Sequence, residues 1–467
     1  MKINKSIIRT FILLLLSFHF SCEDVVSIDA PTDKLVRAEV FSNDETAISA
    51  MDGIYNELHQ AEFSSGSRSS VTVLAGLSSD NVQYLNSGNI TMMEFQDHEI
   101  APTNSGNLEL WTSAYNIIYL CNSYIEGLTN STSIDAELQQ QLEGEARFVR
   151  AFTYFYLVNL YEIVPLILDT DYRVNALKPQ AEKEEIYTQI ENDLQFSSEI
   201  LNTSYRNSEK TSVNKFVAKA FLARVYLFLG DWQEAERLST EVIQESASYE
   251  ILENLDDVFL ANSREAIWQI SPIGGGGIVS HTNDGSMFVI DPFFSFFSTL
   301  KLDESLVEEF SENDLRREKW IGYNTSLNAF FSHKYKISSS TQFPIQEYSM
   351  VLRLAEQYLI RAEARLKMNE IDAAVEDLDV IRRRADLPLL AEINPGISGE
   401  ALLEEIYIQR RKELFTEWGH RWFDLKRSGN IDTAFHSNPT WEMTDSFYPI
   451  PSEEISKNPN LIQNDGY

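Results

Sequence analysis

VLRLAEQYLIRAEARLKMNEIDAAVEDLDVIRRRADLP at residues 351–388, followed by LLEEIYIQRRKELFTEWGHRWFDLKRSG at 402–429, decides the fold. In the first stretch Leu359, Ala362 and Leu366 recur at i, i+3 and i+7. Ala374, Leu378, Ile381 and Ala385 recur at i, i+4, i+7 and i+11. Each spacing gathers apolar side chains on one face of an α-helix. Asn369 falls between the two runs, where a helix end favours a left-handed residue. The first stretch therefore predicts a helical hairpin, and the second a long helix ending in Arg-Trp-Phe-Asp-Leu-Lys-Arg.

A near-copy of the hairpin lies upstream. In AKAFLARVYLFLGDWQEAERLSTEVI, residues 218–243, Phe216, Ala220, Ala223 and Leu227 pattern one helix and Ala235, Leu238 and Val242 the next. Aligning Ala223 with Ala362 sets Gly230 on Asn369 and Ala235 on Ala374. Small residues at these positions let antiparallel helices approach closely, as in tetratricopeptide-like repeats. Further helical stripes run through Ile48, Met51, Tyr55 and Leu58, through residues 109–128, and through Tyr187, Ile190, Leu194 and Leu201. Residues 144–161 are apolar on two faces, which suits a helix at the centre of a bundle. The predicted fold class is mainly α, with tetratricopeptide-like helix pairs at about 213–245 and 352–385 forming a scaffold. Large insertions of loops and short strands, at about 62–108 and 262–348, hold the Gly, Ser and aromatic residues. They are expected to carry the ligand site, because loops on a rigid frame are where binding residues concentrate. Residues 447–467 read as mostly extended.

Lys2, Lys5 and Arg9 precede an apolar run that starts at Phe11–Leu16 and stops at Ser21-Cys22. The run is too short to cross a bilayer core of roughly 30 Å. It looks like a bacterial lipoprotein signal over residues 1–21, with acylation expected at Cys22; His19 departs from the aliphatic residue usual there. Residues 22–467 are expected to form one unit. Cys121, on the Leu110, Ala114, Ile117, Tyr124 stripe, reads as a small buried hydrophobe, and with Cys22 acylated no intrachain disulfide is expected. The net charge of −33 argues against nucleic acid and other polyanionic ligands, which require clustered Lys and Arg. With 43% hydrophobic residues, the chain has the composition of a well-cored globular protein.

Five segments, taken in order behind that leader, carry a resemblance to a known family. They are GEARFVRAFTYFYLVNLYEIVPL at 144–166, LARVYLFLGDWQEA at 222–235, LRLAEQYLIRAEARL at 352–366, RRKELFTEWGHRWFDLKRSG at 410–429 and YPIPSEEISKNPNLIQNDGY at 448–467. Together they resemble the SusD/RagB family of surface nutrient-binding lipoproteins. Glu417-Trp418-Gly419-His420 departs locally, since the family more often reads Phe-Glu-Gly before the His. The resemblance implies four tetratricopeptide-like helix pairs under a variable ligand-binding region. It implies an outer-membrane, lipid-anchored protein facing the cell surface in Bacteroidetes-type bacteria. The implied partner is a SusC-like TonB-dependent transporter and the implied cargo an oligosaccharide, with a peptide or glycopeptide as the alternative within the family. Catalysis and cofactors are not part of that role. A tetratricopeptide-like scaffold that binds only protein is the reading from another class.

Residues that invite chemistry have bland explanations. Arg410, Arg411, Glu413, Arg421, Trp422, Asp424 and Arg427 read as an ion-pair network closing the helix pack, with Arg410–Glu413 and Asp424–Arg427 as i, i+3 pairs. Among 71 acidic residues, two carboxylates at glycosidase spacing would occur by chance. The histidines are scattered, no metal-ligand spacing is present, and Gly274–Gly277 lacks the Gly-Lys-Ser/Thr of a phosphate loop. The candidate ligand residues are Asp80, Asn81, Tyr84, Phe95 and Asn104 in the first insertion, with Trp320 and Tyr323 in the second. Aromatic rings stack on the apolar faces of sugars, while amides and carboxylates bond the hydroxyls.

Overall fold

The computed structural model describes residues 37–272, 279–293 and 295–467. The leader with Cys22, residues Gly274–Gly277 and Phe294 lie outside the described residues. Helix α1 (Asp44–Gln60) starts where the Asn43 side chain accepts from Thr46 N at 3.0 Å, and it buries Ala47, Met51, Ile54 and Leu58. Side-chain caps of this kind satisfy N–H groups that a helix start leaves free. After it come α2 (Val71–Ser78), buried along its whole length, strand β1 (Val82–Tyr84) and α3 (Ile90–Gln96). Asn104 caps α4 (Ser105–Thr129) and Asp135 caps α5 (Ala136–Tyr161). The C-terminal half of α5 is buried on every side, so it is the helix around which the rest packs. It lies between α4 and α6 (Lys183–Ile200).

Next come α7 (Lys215–Leu229) and α8 (Trp232–Gln244). The chain then leaves the scaffold through β2 (Ala266–Ile270). It passes α9 (Asn283–Phe288), β3 (Leu300–Leu302), α10 (Leu315–Trp320) and the hairpin β4 (Ile321–Asn324)–β5 (Ala329–Ser332). It returns through β6 (Ser349–Arg353), which pairs antiparallel with β2 and leads directly into α11 (Leu354–Lys367) and α12 (Ile371–Arg384). The exit and entry of the second insertion are thus zipped together, and α8 can pack against α11. The two hairpins read from the sequence are neighbours in space. Ala223, Ala235, Ala362 and Ala374 are all fully buried at their crossings. Gly230 and Asn369 both turn in the left-handed region, at φ 76° and 64°. Gln357 Nε2 donates to the Ala220 carbonyl at 3.3 Å across the seam.

Helix α13 (Gly399–Leu414) packs on α11, and α14 (His420–Arg427) follows it. The C-terminal stretch is less extended than its Pro and Asn content suggests: Ser452–Lys457 form a short helix, α15. The stretch is stitched to the core by Tyr448, whose N–H donates to Leu160 O and whose hydroxyl meets Ser78 Oγ at 2.8 Å. Cys121 is buried and unbridged, and burial pushes its thiol up to about 12.

Between α10, α12, α13 and the root of the second insertion lies a buried cluster of charges. Glu413 is bonded by Arg316, Arg353 and Arg384; Glu417 by Arg353 and Lys334; Glu265 by Arg353 and Arg384; and Asp314 by Arg316. The expected Arg410–Glu413 pair does not form. Three other guanidiniums take Glu413, and Arg410 Nε donates to Asp424 at 2.8 Å; Asp424–Arg427 does form. Burial alone would raise the Glu413 carboxyl, but Arg384, Arg353 and Arg316 hold it well below its usual range.

A second buried carboxyl ties the insertions together. Asp284 of α9 accepts from Ser349 Oγ at 2.6 Å and occupies the space a Cβ on Gly66 would fill, a position where φ is +77°. Burial lifts its pKa to about 6, against the hydrogen bond from Ser349.

Removing one partner of a buried pair costs about 3–5 kcal/mol. Glu413→Gln should lower urea-denaturation stability by that order, while Glu453→Gln, whose partner Lys457 is exposed, should change it by less than about 1 kcal/mol. For Asp284 the folded chain holds its proton more tightly than the unfolded one, so stability falls as pH rises from about 4 to about 6 and stays reduced above. The loss should be roughly 3 kcal/mol. Denaturation midpoints of Asp284→Asn should lack that fall, and an identical pH slope in both proteins would refute the assignment.

Candidate functional site

The two insertions meet through short strands. β1 pairs antiparallel with β3, with Val82 opposite Leu302 and Tyr84 opposite Leu300. Just beyond the ladder, Leu85 N donates to Thr299 O at 2.7 Å, so the loop after β1 runs beside the loop before β3. The first is kept tight by Asn86 Oδ1, which accepts from Gly88 N, and by Asn89, which caps α3. The other side of β3 lies against β5 of the β4–β5 hairpin. Phe331 of β5 lies across Gly322 so closely that a Cβ there would fall 2.2 Å from its ring.

This arrangement leaves aromatic rings in solvent. Phe293 is 85% exposed, Phe296 71% and Tyr323 49%, with Ile90 and Phe343 also open. The Tyr323 ring rests against Phe330, centroids 4.9 Å apart, and its hydroxyl donates to Asn328 Oδ1 at 2.6 Å. Large apolar side chains left in solvent on the loop before β3 and on the neighbouring hairpin are candidates for a binding surface. Rings held this way can stack on a sugar's C–H face, while the amides of Asn86 and Asn89 stand on the adjoining loop.

The residues expected from sequence are placed mostly beneath this surface. Trp320 has no exposed area; its Nε1 donates to Leu255 O at 3.1 Å, and its ring lies 5.0 Å from Lys334 Nζ, between the cations of the buried cluster. Its expected stacking face is therefore closed. Phe95 is buried edge-on against Tyr448, and Tyr84 is buried with its hydroxyl taken by Asn89. Asn104 caps α4 and bonds Glu94. Asp80 receives a two-point bond from Arg421, both contacts 2.7 Å, while Arg411 bonds Asn81 Oδ1 at 2.9 Å and the Asp80 carbonyl. Burial would raise the Asp80 carboxyl, but Arg421 and then Arg411 hold it below its ordinary value. These two residues fasten the first insertion to α13 and α14. Of the seven, Tyr323 alone presents an open ring.

Phe293 and Phe296 were not among the expected ligand residues. The signal for them is the run of phenylalanines in the segment Pro292–Phe297 itself. Among the described residues no group of His, Cys, Asp and Glu is arranged to hold a metal ion, and no helix is long and apolar enough to cross a membrane.

Two family models match the chain: one described as the SusD family, over residues 311–467, and one described as starch-binding associating with outer membrane, over 40–227. A SusD-like protein of Formosa agariphila is 23% identical over all of this chain and 99% of its own. The starch-binding protein SusD of Bacteroides thetaiotaomicron is 24% identical over 73% of this chain and 74% of its own. The solved structure of a laminarin-binding SusD-like protein superposes with a TM-score of 0.76 at 24% identity, covering 91% of this chain and 100% of that one.

The burial of Trp320 separates packing from recognition. Trp320→Ala should lower stability by about 3–5 kcal/mol, the usual range for a buried tryptophan, whereas Tyr323→Ala should leave the melting temperature nearly unchanged. Equal melting temperatures for the two variants would contradict the placement.

Proposed function

Because the chain belongs to the SusD family, we propose that it is a surface receptor that captures an oligosaccharide. In this reading it hands the ligand to a SusC-like TonB-dependent transporter and is tethered to the outer membrane by lipid on Cys22. The observation that carries the glycan reading is the set of exposed rings: Phe293 and Phe296 on the loop before β3, and Tyr323 on the β4–β5 hairpin, whose β5 lies against β3. The names of relatives that bind starch and laminarin support it, as does the outer-membrane description of one matching family.

The physical logic is reversible capture. A sugar buries its apolar face on the rings, and each contact adds about 0.5–1.5 kcal/mol beyond the area removed from water. An open platform desolvates few hydroxyls, so affinity stays moderate and release to a partner remains possible. The role is binding and transfer, without chemistry on the ligand.

The test is retention of the soluble chain, begun at Glu23, on a panel of plant, host and microbial polysaccharides beside mixed peptides. One glycan class should bind. Phe293→Ala and Phe296→Ala should each weaken binding about fivefold or more, with unchanged thermal unfolding. Full affinity in the triple variant with Tyr323→Ala would move the site elsewhere, and binding to peptides alone would change the ligand class.

A further inference from the structure

A cleft of about 380 Å³ opens where the end of α5, the start of α6, the end of α14 and the segment 443–447 meet. The chain carries 71 acidic residues against 38 basic ones, yet the cleft is lined by Lys183, Lys426 and Arg427 and by no carboxylate. Arg427 is committed: it forms a two-point pair with Glu363 at 2.7 and 2.8 Å and a further bond to Asp424. The two lysines are not. Lys426 Nζ donates to the Asn159 carbonyl at 2.5 Å and sits 3.9 Å from the centroid of the Phe447 ring. Among the described residues it has no carboxylate within ion-pair distance, and an ammonium has three N–H groups to place. Lys183 makes no hydrogen bond or ion pair among the described residues.

Burying an ammonium without a counter-ion is unfavourable. Burial, and then the charge of Lys183, holds the Lys426 amine well below its ordinary value, with Glu162 opposing from the adjoining surface. The neighbouring Tyr187 hydroxyl donates to Asn159 Oδ1 at 3.0 Å and makes no bond to either lysine among the described residues. Helix α6 adds to the local positive potential: it begins at Lys183, and Glu182 supplies no side-chain cap. The glutamates of its first turn, Glu184 and Glu185, are exposed and do not line the cleft.

We propose that this cleft binds a small ligand carrying one oxyanion, a carboxylate or sulfate group, with Lys426 and Lys183 as its counter-ions. A neutral sugar supplies no counter-charge to either lysine, and a polyanion is repelled by the chain's net charge of −33. A single charge held at short range satisfies both constraints. The Phe447 and Met443 side of the cleft is apolar and takes a carbon skeleton, which favours an organic acid such as a sugar acid over a bare ion. The cleft shares no residue or element with the exposed rings of the insertions, so this inference stands apart from the glycan reading.

Isothermal titration of the whole soluble chain at neutral pH and physiological ionic strength would test it, using sodium glucuronate, sodium sulfate and, as neutral control, glucose. Saturable binding of glucuronate or sulfate is expected, and none of glucose at this cleft. Tighter binding of glucuronate would identify the sugar acid, and binding of sulfate alone the free oxyanion. Lys426→Met should weaken anion binding about tenfold or more and Lys183→Met several-fold, the loss expected for a charged hydrogen bond. Lys183 is half-buried and unbonded, so its variant keeps the test valid should Lys426→Met fail to fold. Phe293→Ala should leave anion binding unchanged. The proposal is overturned if neither anion binds to the folded protein, if both lysine variants bind as the parent does, or if Phe293→Ala abolishes the binding.

Discussion

Glu413 is the point on which the structure depends. Its carboxylate lies fully buried among Arg316, Arg353 and Arg384, and the neighbouring Glu265, Glu417 and Asp314 bring Lys334 into the same cluster. Four cations face four anions, so the cluster is neutral as a whole. Charges buried in this way are stabilising only while every partner is present, because each one has lost its water. The cluster joins the root of the second insertion, the strand that re-enters the scaffold, and the helices α12 and α13. Hydrophobic burial is not directional, but this cluster fixes where the insertion emerges and at what angle. Trp320 closes it from one side, with its ring beside the cations of Lys334, Arg353 and Arg384.

Function follows from that anchoring. The first insertion is held by Arg411 and Arg421 through Asp80 and Asn81, the second by the charge cluster and the β2–β6 ladder, and each to the other by β1 and β3. With both roots fixed, the loops can expose phenylalanine and tyrosine rings that would otherwise collapse inward. A rigid frame bearing exposed rings suits the proposed reversible capture of a sugar.

Charge is distributed at two scales. Across the surface the excess of carboxylates is solvated and repels polyanions. Inside, basic residues are concentrated at α13, α14 and their neighbours, where they neutralise buried acids. At the cleft beside Lys426 that matching stops among the described residues, since its two lysines have no carboxylate partner there.

The helices and their pairing were legible in the sequence, because they depend on local spacing, whereas the cap Asn104 read as a ligand residue. The 3.6-residue period marked the faces, Asn369 and Gly230 marked the left-handed turns, and small residues at Ala223 and Ala362 marked the close crossing. The order of five such segments was also enough to indicate the family. Which aromatic residues meet ligand was decided by tertiary structure. Trp320, Phe95 and Phe293 all lie in insertions of similar composition, yet two are buried and one is open. The difference arises from contacts between segments distant in sequence: Leu255 and the charge cluster close over Trp320, Tyr448 covers Phe95, and Phe293 stays 85% exposed. Burial depends on what the rest of the chain brings to a residue, and local spacing carries no record of that.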